Sequence, residues 1–128
     1  MTEIAPLRIL HLITSLNPAG GGPAQGVRNI TACYGPLGAV PTIVSLDAPD
    51  APWLDLGHAR AIGLGPARFG TFSYAPQMLP WLRAHAGGFD AAVVHGLWQY
   101  PGVAARRALC AAGVPYFVYP HGMLDPWF

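Results

Sequence analysis

Apolar residues along this chain form five short runs, separated by turns and by segments with helical spacing. The runs are rich in Val, Ile, Leu and aromatic residues and are nearly continuous, which is typical of strands buried on both faces of a parallel sheet. The first run is the strongest, whereas the third is short and glycine-rich. The pattern therefore predicts strands over residues 7–14, 40–46, 61–64, 90–95 and 115–119.

The segments between these runs carry the spacing of amphipathic helices. Helices are predicted over 23–34, 75–85 and 101–112. In the first, Val27, Ile30 and Tyr34 would share one face. Pro80 falls inside the second pattern and predicts a kink or an early break there.

Alternating strands and helices predict an α/β fold, a Rossmann-like doubly wound parallel sheet with right-handed crossovers and helices on both faces. With the strands numbered in chain order, we expect the order 3-2-1-4-5. Ligands of such sheets bind beyond the carboxyl ends of the strands, near the point where the strand order reverses. The candidate chemistry is therefore sought in the loops that follow the strands.

A glycine turn follows the first strand. Gly20, Gly21 and Gly22 lack a Cβ, so their N–H groups can approach an anion, and Pro23 suits the first position of a helix whose N-terminus carries partial positive charge. The spacing does not fit the dinucleotide fingerprint, whose third glycine would fall on Gln25, and the absence of lysine excludes a P-loop. A phosphate-binding turn and a turn that only connects strand to helix both remain open.

A His-Gly pair stands at the end of each of the last two predicted strands. The pairs are His95-Gly96 and His121-Gly122. We expect both imidazoles and the glycine turn to border one cleft, where a histidine can donate to a phosphate or a sugar hydroxyl near neutral pH. The competing interpretation is that each histidine only caps its strand end. A metal site completed by Asp125 is a weaker alternative, because nothing has the tight spacing of zinc motifs.

The other histidines and the cysteines are assigned no function. His11 lies within the first strand and is predicted to be a core histidine with its hydrogen bonds satisfied, whereas His58 and His85 fall in a loop and at a helix end. Cys33 and Cys110 fall on predicted helices without C-x-x-C spacing. Buried free thiols are therefore predicted rather than a disulfide or a zinc site.

Composition limits the possible partners. The 128 residues suit one domain, and only 10% of them are charged, against roughly 25% in an ordinary soluble domain. Either helices cover both faces of the sheet, or something outside this chain covers part of its surface. Seven arginines, no lysine and six acids give a net charge of +1 without a basic patch, so we expect no nucleic-acid partner.

The N-terminal residues have no basic leader region, and no apolar stretch reaches the ~18 residues of a membrane span. A cytoplasmic protein without a transmembrane segment is therefore predicted. A peripheral position at the inner face of the membrane is left open.

Two long stretches resemble a known family. ILHLITSLNPAGGGPAQGVRN and VVHGLWQYPGVAARRALCAAGVPYFVYPHGMLDPWF are similar to the N-terminal part of family 4 glycosyltransferases, retaining enzymes of the two-domain GT-B fold that act in polysaccharide and cell-envelope synthesis. The motifs HGLWQYP and PHGMLDPW resemble one subgroup closely, whereas residues 47–74 carry no such motif.

The resemblance implies roles for the candidate residues. The family's N-terminal domain binds mainly the acceptor, and its glycine loop approaches the donor diphosphate, which implies Gly20, Gly21 and Gly22 here. By position, His121 is similar to the family residue that lies against the donor sugar and is the implied catalytic residue. His95, with the glycines after the two histidines, would shape the acceptor cleft. No cofactor and no metal is expected.

The family builds its donor site chiefly from a C-terminal domain, with a basic pair for the diphosphate and a glutamate motif for the ribose and sugar. This sequence ends at Phe128 before any such segment. We therefore expect residues 1–128 to be a truncated acceptor-side domain, inactive alone, whose missing half is a C-terminal domain or a second chain. The substrates would be a nucleotide-sugar donor and a glycan or lipid-linked acceptor. A stand-alone module that binds phosphate, nucleotide or glycan without catalysis, and a nonfunctional remnant, are the alternatives.

Overall fold

A computed structural model describes residues 5–121, which form one sheet with helices on both faces. The strands are β1 (Leu7–Leu12), β2 (Ala39–Ser45), β3 (Arg60–Gly63), β4 (Ala91–His95) and β5 (Tyr116–Tyr119). The helices are α1 (Gly22–Ala32), α2 (Met78–His85) and α3 (Tyr100–Ala112). Short 3-10 turns connect several of these elements.

The strand order is β3-β2-β1-β4-β5, and every neighbouring pair is parallel. This confirms the predicted doubly wound α/β fold and its order. The order reverses between β1 and β4, so the loops after these two strands flank the crevice in which such folds bind ligands.

The short third strand contains glycine because two backbones approach closely there. A Cβ on Gly63 would lie 2.6 Å from the Asp47 carbonyl oxygen, and a Cβ on Gly65 would lie 1.9 Å from that of Leu46. No side chain fits at either position. Glycine weakens the strand pattern in the sequence, yet here it permits the pairing of β3 with β2.

Side chains at the end of β1 and of the residue that follows it alternate between two cores. Leu10 and Leu12 pack with α2 and α3 in the larger cluster, whereas Ile13 packs with Val27 of α1 and Ile43 of β2 in the smaller one. Helices therefore cover both faces near β1, as expected for a parallel sheet.

Beyond β1, no helix within residues 5–121 covers the face of the sheet on which α1 lies. Phe117 and Tyr119 of β5 are 64% and 57% exposed, and Ile30 of α1, beside them, is 48% exposed. Of the three residues predicted to share one face of this helix, only Val27 is fully buried. Ile30 and the half-buried Tyr34 instead border a groove of about 240 Å³ over β4 and β5.

Helix α2 begins at Met78, three residues later than predicted. Pro80 consequently lies in the first turn, where its missing N–H has no partner in any helix. The helix runs on through Pro80 to His85, so the predicted early break there does not occur.

Both cysteines are free thiols, but the prediction that they are buried is wrong, because Cys33 and Cys110 are exposed. The buried positions of α1 end at Thr31, and Cys33 is the residue that caps the helix. On α3 the buried face includes Ala108 and Leu109, and the next residue turns toward solvent.

Within residues 5–121 the longest helix spans 13 residues, and none has both the length and the apolar character needed to traverse a bilayer.

Two leucines of β1 provide a matched test of the sheet. Leu10 is fully buried and Leu7 is 56% exposed. Leu10→Ala should lower the free energy of unfolding by about 2–5 kcal/mol, because it leaves a cavity in the larger core. Leu7→Ala should cost less than about 1 kcal/mol. Urea unfolding of both variants measures the difference, and equal losses would contradict the described burial.

Candidate functional site

A cavity of about 320 Å³ opens at the carboxyl edge of the sheet, between the starts of α1 and α3. Segments that follow β1, β4 and β5, three adjacent strands, contribute to its wall. Its lining residues are Ile13, Thr14, Pro23, His95, Gly96, Gln99 and His121. The structure thus brings three of the predicted site residues together, namely His95, Gly96 and His121. Gly122 and Asp125 lie outside the described residues.

The glycine turn lies next to this cavity but does not line it. Gly20, Gly21 and Gly22 are exposed, and Pro23 is the residue of this segment that forms part of the wall. Gly21 has φ 78° and ψ −136°, a conformation that essentially only glycine adopts. A Cβ on Gly20 or Gly22 would meet open space.

Helix α1 begins at this turn with unshielded amides. Among the described residues, no side chain caps its N-terminus, and its first turn contains no acid. The first N–H groups of a helix have no intrahelical acceptor and carry partial positive charge. The start of α1 is therefore suited to an anion in the adjoining cleft.

Asp47 holds the loop that leads from β1 to the glycine turn. Its carboxylate accepts hydrogen bonds from the Ser15 hydroxyl at 2.5 Å, the Leu16 N–H at 2.8 Å and the Ser45 hydroxyl at 2.7 Å. The guanidinium of Arg28 also donates to the Leu16 carbonyl and ties the loop to α1. Sequence analysis did not identify this anchor.

Tyr34, His11, His95 and His121 form a continuous series of hydrogen bonds, which we call the histidine chain. The Tyr34 hydroxyl lies 2.6 Å from His11 Nε2. His11 Nδ1 lies 2.8 Å from His95 Nε2, and His95 Nδ1 lies 2.8 Å from His121 Nε2. Neighbouring imidazoles also stack, with both pairs of ring centroids 5.1 Å apart.

Strand register produces this alignment. His11 of β1 pairs with Val93 of β4, and His95 lies two residues further along β4. His95 in turn pairs with Tyr119 of β5, and His121 lies two residues beyond that partner. Because side chains two residues apart on a strand share a face, His11 and His95 lie on one face of the sheet. His121 follows the end of β5, and its hydrogen bond to His95 continues the same diagonal.

Burial keeps the three imidazoles of the histidine chain neutral. His11 is 1% exposed and His95 is 7% exposed. Loss of hydration lowers the pKa of His11 from 6.5 to about 4. Burial, with smaller contributions from the neighbouring histidines, lowers the pKa of His95 to about 3. Burial also lowers the pKa of His121 and raises that of the Tyr34 hydroxyl.

The backbone of His121 is held in an uncommon conformation, with φ 50°. A non-glycine residue in the left-handed region carries a conformational cost, and such residues concentrate at functional sites. The ring of Tyr119 lies 4.9 Å from that of His121. The orientation of His121 toward the cleft is thus set by its backbone, its ring neighbour and His95.

The predicted core position of His11 is correct, but its connection to the site was missed. His11 and Tyr34 received no functional role from the sequence, although they complete the hydrogen bonds behind His95 and His121. Within residues 5–121, no group of three or more His, Cys, Asp or Glu side chains has an arrangement that would hold a metal ion.

A doubly wound parallel sheet, with polar groups gathered beyond the carboxyl ends of β1, β4 and β5, defines an α/β domain of the class that binds ligands at this edge. A match to a known family identifies this domain more specifically. Residues 21–128 match the glycosyl transferase 4-like domain, and the chain belongs to this family. The resemblance to family 4 glycosyltransferases is therefore confirmed.

One solved structure similar to this chain is the C-terminal domain of a hydrogenase from Pyrococcus furiosus. The two align with a TM-score of 0.61 over 88% of this chain and 90% of that domain, at 15% sequence identity. This likeness shows a shared fold alone. No curated protein matches the chain.

Acidification should destabilise the fold through the histidine chain. Unfolded histidines have pKa values near 6.5 and take up protons in mildly acidic solution, whereas folded His11 and His95, with pKa values of about 4 and about 3, do not. Their stabilising contribution is complete above the unfolded pKa and is lost as the pH falls. Between about pH 7.5 and about pH 5.5, each should lower the free energy of unfolding by about 1.4 kcal/mol.

Urea unfolding at several pH values measures this dependence in a window above the range in which carboxylates ordinarily titrate. His95→Gln should remove about half of the effect, because one of the two buried titrating groups is lost. A free energy of unfolding that stays constant across the window would contradict the burial of both imidazoles.

Proposed function

We propose that this chain is the acceptor-side domain of a retaining glycosyltransferase. The whole enzyme would transfer a sugar from a nucleotide-sugar donor to a glycan or lipid-linked acceptor in polysaccharide or cell-envelope synthesis. The observation that carries this proposal is a single cleft, in a member of this family, lined by His121 and by Pro23 at the start of α1.

In this proposal the diphosphate of the donor lies at the glycine turn. The N–H groups of Gly20 and Gly21 donate within the turn, to the carbonyls of Asn17 and Pro18. The glycine turn, Gly20 to Gly22, brings the Gly22 N–H and the uncapped start of α1 to the negative charge that develops on the departing diphosphate. These donors are fixed by the fold, so little reorganisation is needed during the reaction. His121 holds the donor sugar in position beside them.

A second cavity supports a lipid-linked acceptor. It measures about 470 Å³, and Gly96 and Gln99 line both this cavity and the one that contains His121. Most of its other lining side chains are apolar or aromatic, and Arg106 is the cation among them. An acceptor with an apolar portion and a phosphate suits such walls, and its reactive end would reach the shared boundary.

In this proposal the described cleft forms one side of the complete donor site. Holding the leaving group and the acceptor in the reactive orientation accounts for on the order of 7–11 kcal/mol of barrier reduction in well-arranged cases. A few N–H groups facing open water contribute little net binding free energy. We therefore propose that the donor nucleotide is held chiefly by a second domain or a second chain.

The glycine turn can be tested by adding one methyl group. Gly22→Ala places a Cβ in open space, so the fold should be retained. Binding of inorganic pyrophosphate or UDP should nevertheless weaken about three- to tenfold, because the methyl group obstructs the approach to the first amides of α1. Amide chemical-shift titration of the labelled chain measures this affinity and locates the responding residues.

Gly26→Ala is the matched control, because it adds the same group on the same helix, also in open space. Its affinity for pyrophosphate should equal that of the wild type. Gly21→Ala is unsuitable, since any side chain at its φ of +78° is strained whatever it binds. Equal affinities of the Gly22 and Gly26 variants would contradict a phosphate site at this turn.

Glycosyl transfer by the isolated chain is expected to be absent. The assay incubates purified chain with a panel of sugar nucleotides and lipid or glycan acceptors and measures released nucleoside diphosphate. Wild type and His121→Ala should give the same background, because the donor lacks its second wall. Turnover by the wild type above this background would show that the described cleft is sufficient for catalysis.

A further inference from the structure

We propose that Tyr34, acting through His11 and His95, fixes the proton of His121 on Nδ1, so that a neutral hydrogen-bond donor faces the cleft. Tyr34, His11 and His95 are then positioning residues for His121. This inference rests on the proposed function, in which His121 contacts the donor. It assigns a role to two residues, Tyr34 and His11, that lie behind the cleft wall.

Counting protons gives the histidine chain two self-consistent arrangements. A neutral imidazole has one N–H and one acceptor nitrogen, and each of the three hydrogen bonds needs one proton. The donors must therefore all run from Tyr34 toward His121, or all run in the opposite direction. A mixed arrangement leaves two lone pairs or two protons facing each other in a buried site, and is unfavourable because those groups have lost their hydration without gaining a hydrogen bond.

The hydroxyl of Tyr34 determines in which direction the hydrogen bonds of the histidine chain run. A phenol is a much stronger acid than a neutral imidazole, and its oxygen is the weaker acceptor, so an O–H donating to an imidazole nitrogen is the better bond. The 2.6 Å separation of the Tyr34 hydroxyl and His11 Nε2 is typical of a hydroxyl donor. His11 then donates from Nδ1 to His95, and His95 donates from Nδ1 to His121.

When the donors run from Tyr34 toward His121, the free ring nitrogen of His121 carries a proton. His121 accepts at Nε2, so its own proton is on Nδ1, the nitrogen that the histidine chain does not use. A phosphate or sugar oxygen would meet an N–H donor there. The reverse direction would place a lone pair at the same point, which repels an anion.

The groups around the three imidazoles keep one proton on each ring. Among residues 5–121, the titratable groups in hydrogen-bond or ring contact with the imidazoles are members of the histidine chain and Tyr119 on β5, whose ring contacts His95 and His121. Burial lowers the pKa of all three histidines. Near neutral pH each ring therefore carries a single proton, as the directional argument requires.

Long-range nitrogen–proton correlation spectra of the labelled chain distinguish the two histidine tautomers directly. In the wild type at neutral pH, His11, His95 and His121 should all carry the proton on Nδ1, the form that isolated imidazole side chains disfavour. A proton on Nε2 of His121 would overturn the inference. This measurement needs no variant and no bound ligand.

Tyr34→Phe tests the origin of the direction. Without the phenol O–H, His121 should shift toward the Nε2–H form, and its affinity for inorganic pyrophosphate should fall severalfold. Tyr119→Phe is the matched control. It removes the same hydroxyl from a ring that contacts His121 but leaves every hydrogen bond of the histidine chain in place. It should change neither tautomer nor affinity. Unchanged tautomers in Tyr34→Phe would overturn the inference.

The two proposals fail separately. If the wild type shows the expected tautomers and Tyr34→Phe alters them, the inference about the proton stands. Absence of pyrophosphate and nucleoside diphosphate binding in that same sample would then count against the proposed function alone.

Discussion

The candidate site depends on the register of three adjacent parallel strands. His11, His95 and His121 meet because each lies two residues beyond the strand partner of the one before it. Strand side chains alternate between faces, so a one-residue slip of β4 would turn His95 into the opposite core and break the hydrogen bonds on both sides of it. The same pairing places Leu10 and Val94 in the larger core. Packing of the sheet thus also fixes the imidazoles.

The cleft is built from neutral donors, which distinguishes it from sites that bind anions with cations. Its polar contributions are imidazoles, Gln99, Thr14 and the start of α1, whereas Arg28 is engaged with the Leu16 carbonyl. Neutral donors exposed to water bind weakly, but they become effective when a second surface excludes water. A cleft of this type is suited to one half of a two-part site, as we propose for this family member.

Most of the fold followed from local patterns, because buried parallel strands are continuous apolar runs and β-α-β crossovers have one hand. The carboxyl edge, with His95 and His121, followed as well. The role of His11 did not, because it requires the register between β1 and β4. The available signal for it was the alternation of side chains along each strand, combined with the predicted order that places the first strand beside the fourth. Ile30 is exposed because the neighbouring face of β5 is itself exposed. Helical periodicity shows which residues share a face but not whether that face is covered.

The central claim is that the start of α1 holds the donor diphosphate and that His121 holds the sugar attached to it. An experimentally determined structure of the chain with bound UDP or a nucleotide sugar tests this most directly. We expect diphosphate oxygens within about 3 Å of the Gly22 amide or another amide in the first turn of α1, and a donor oxygen of the sugar or the phosphate attached to it within the same distance of His121 Nδ1. A nucleotide bound in the cavity beside Arg106, with the glycine turn and His121 untouched, would contradict the account.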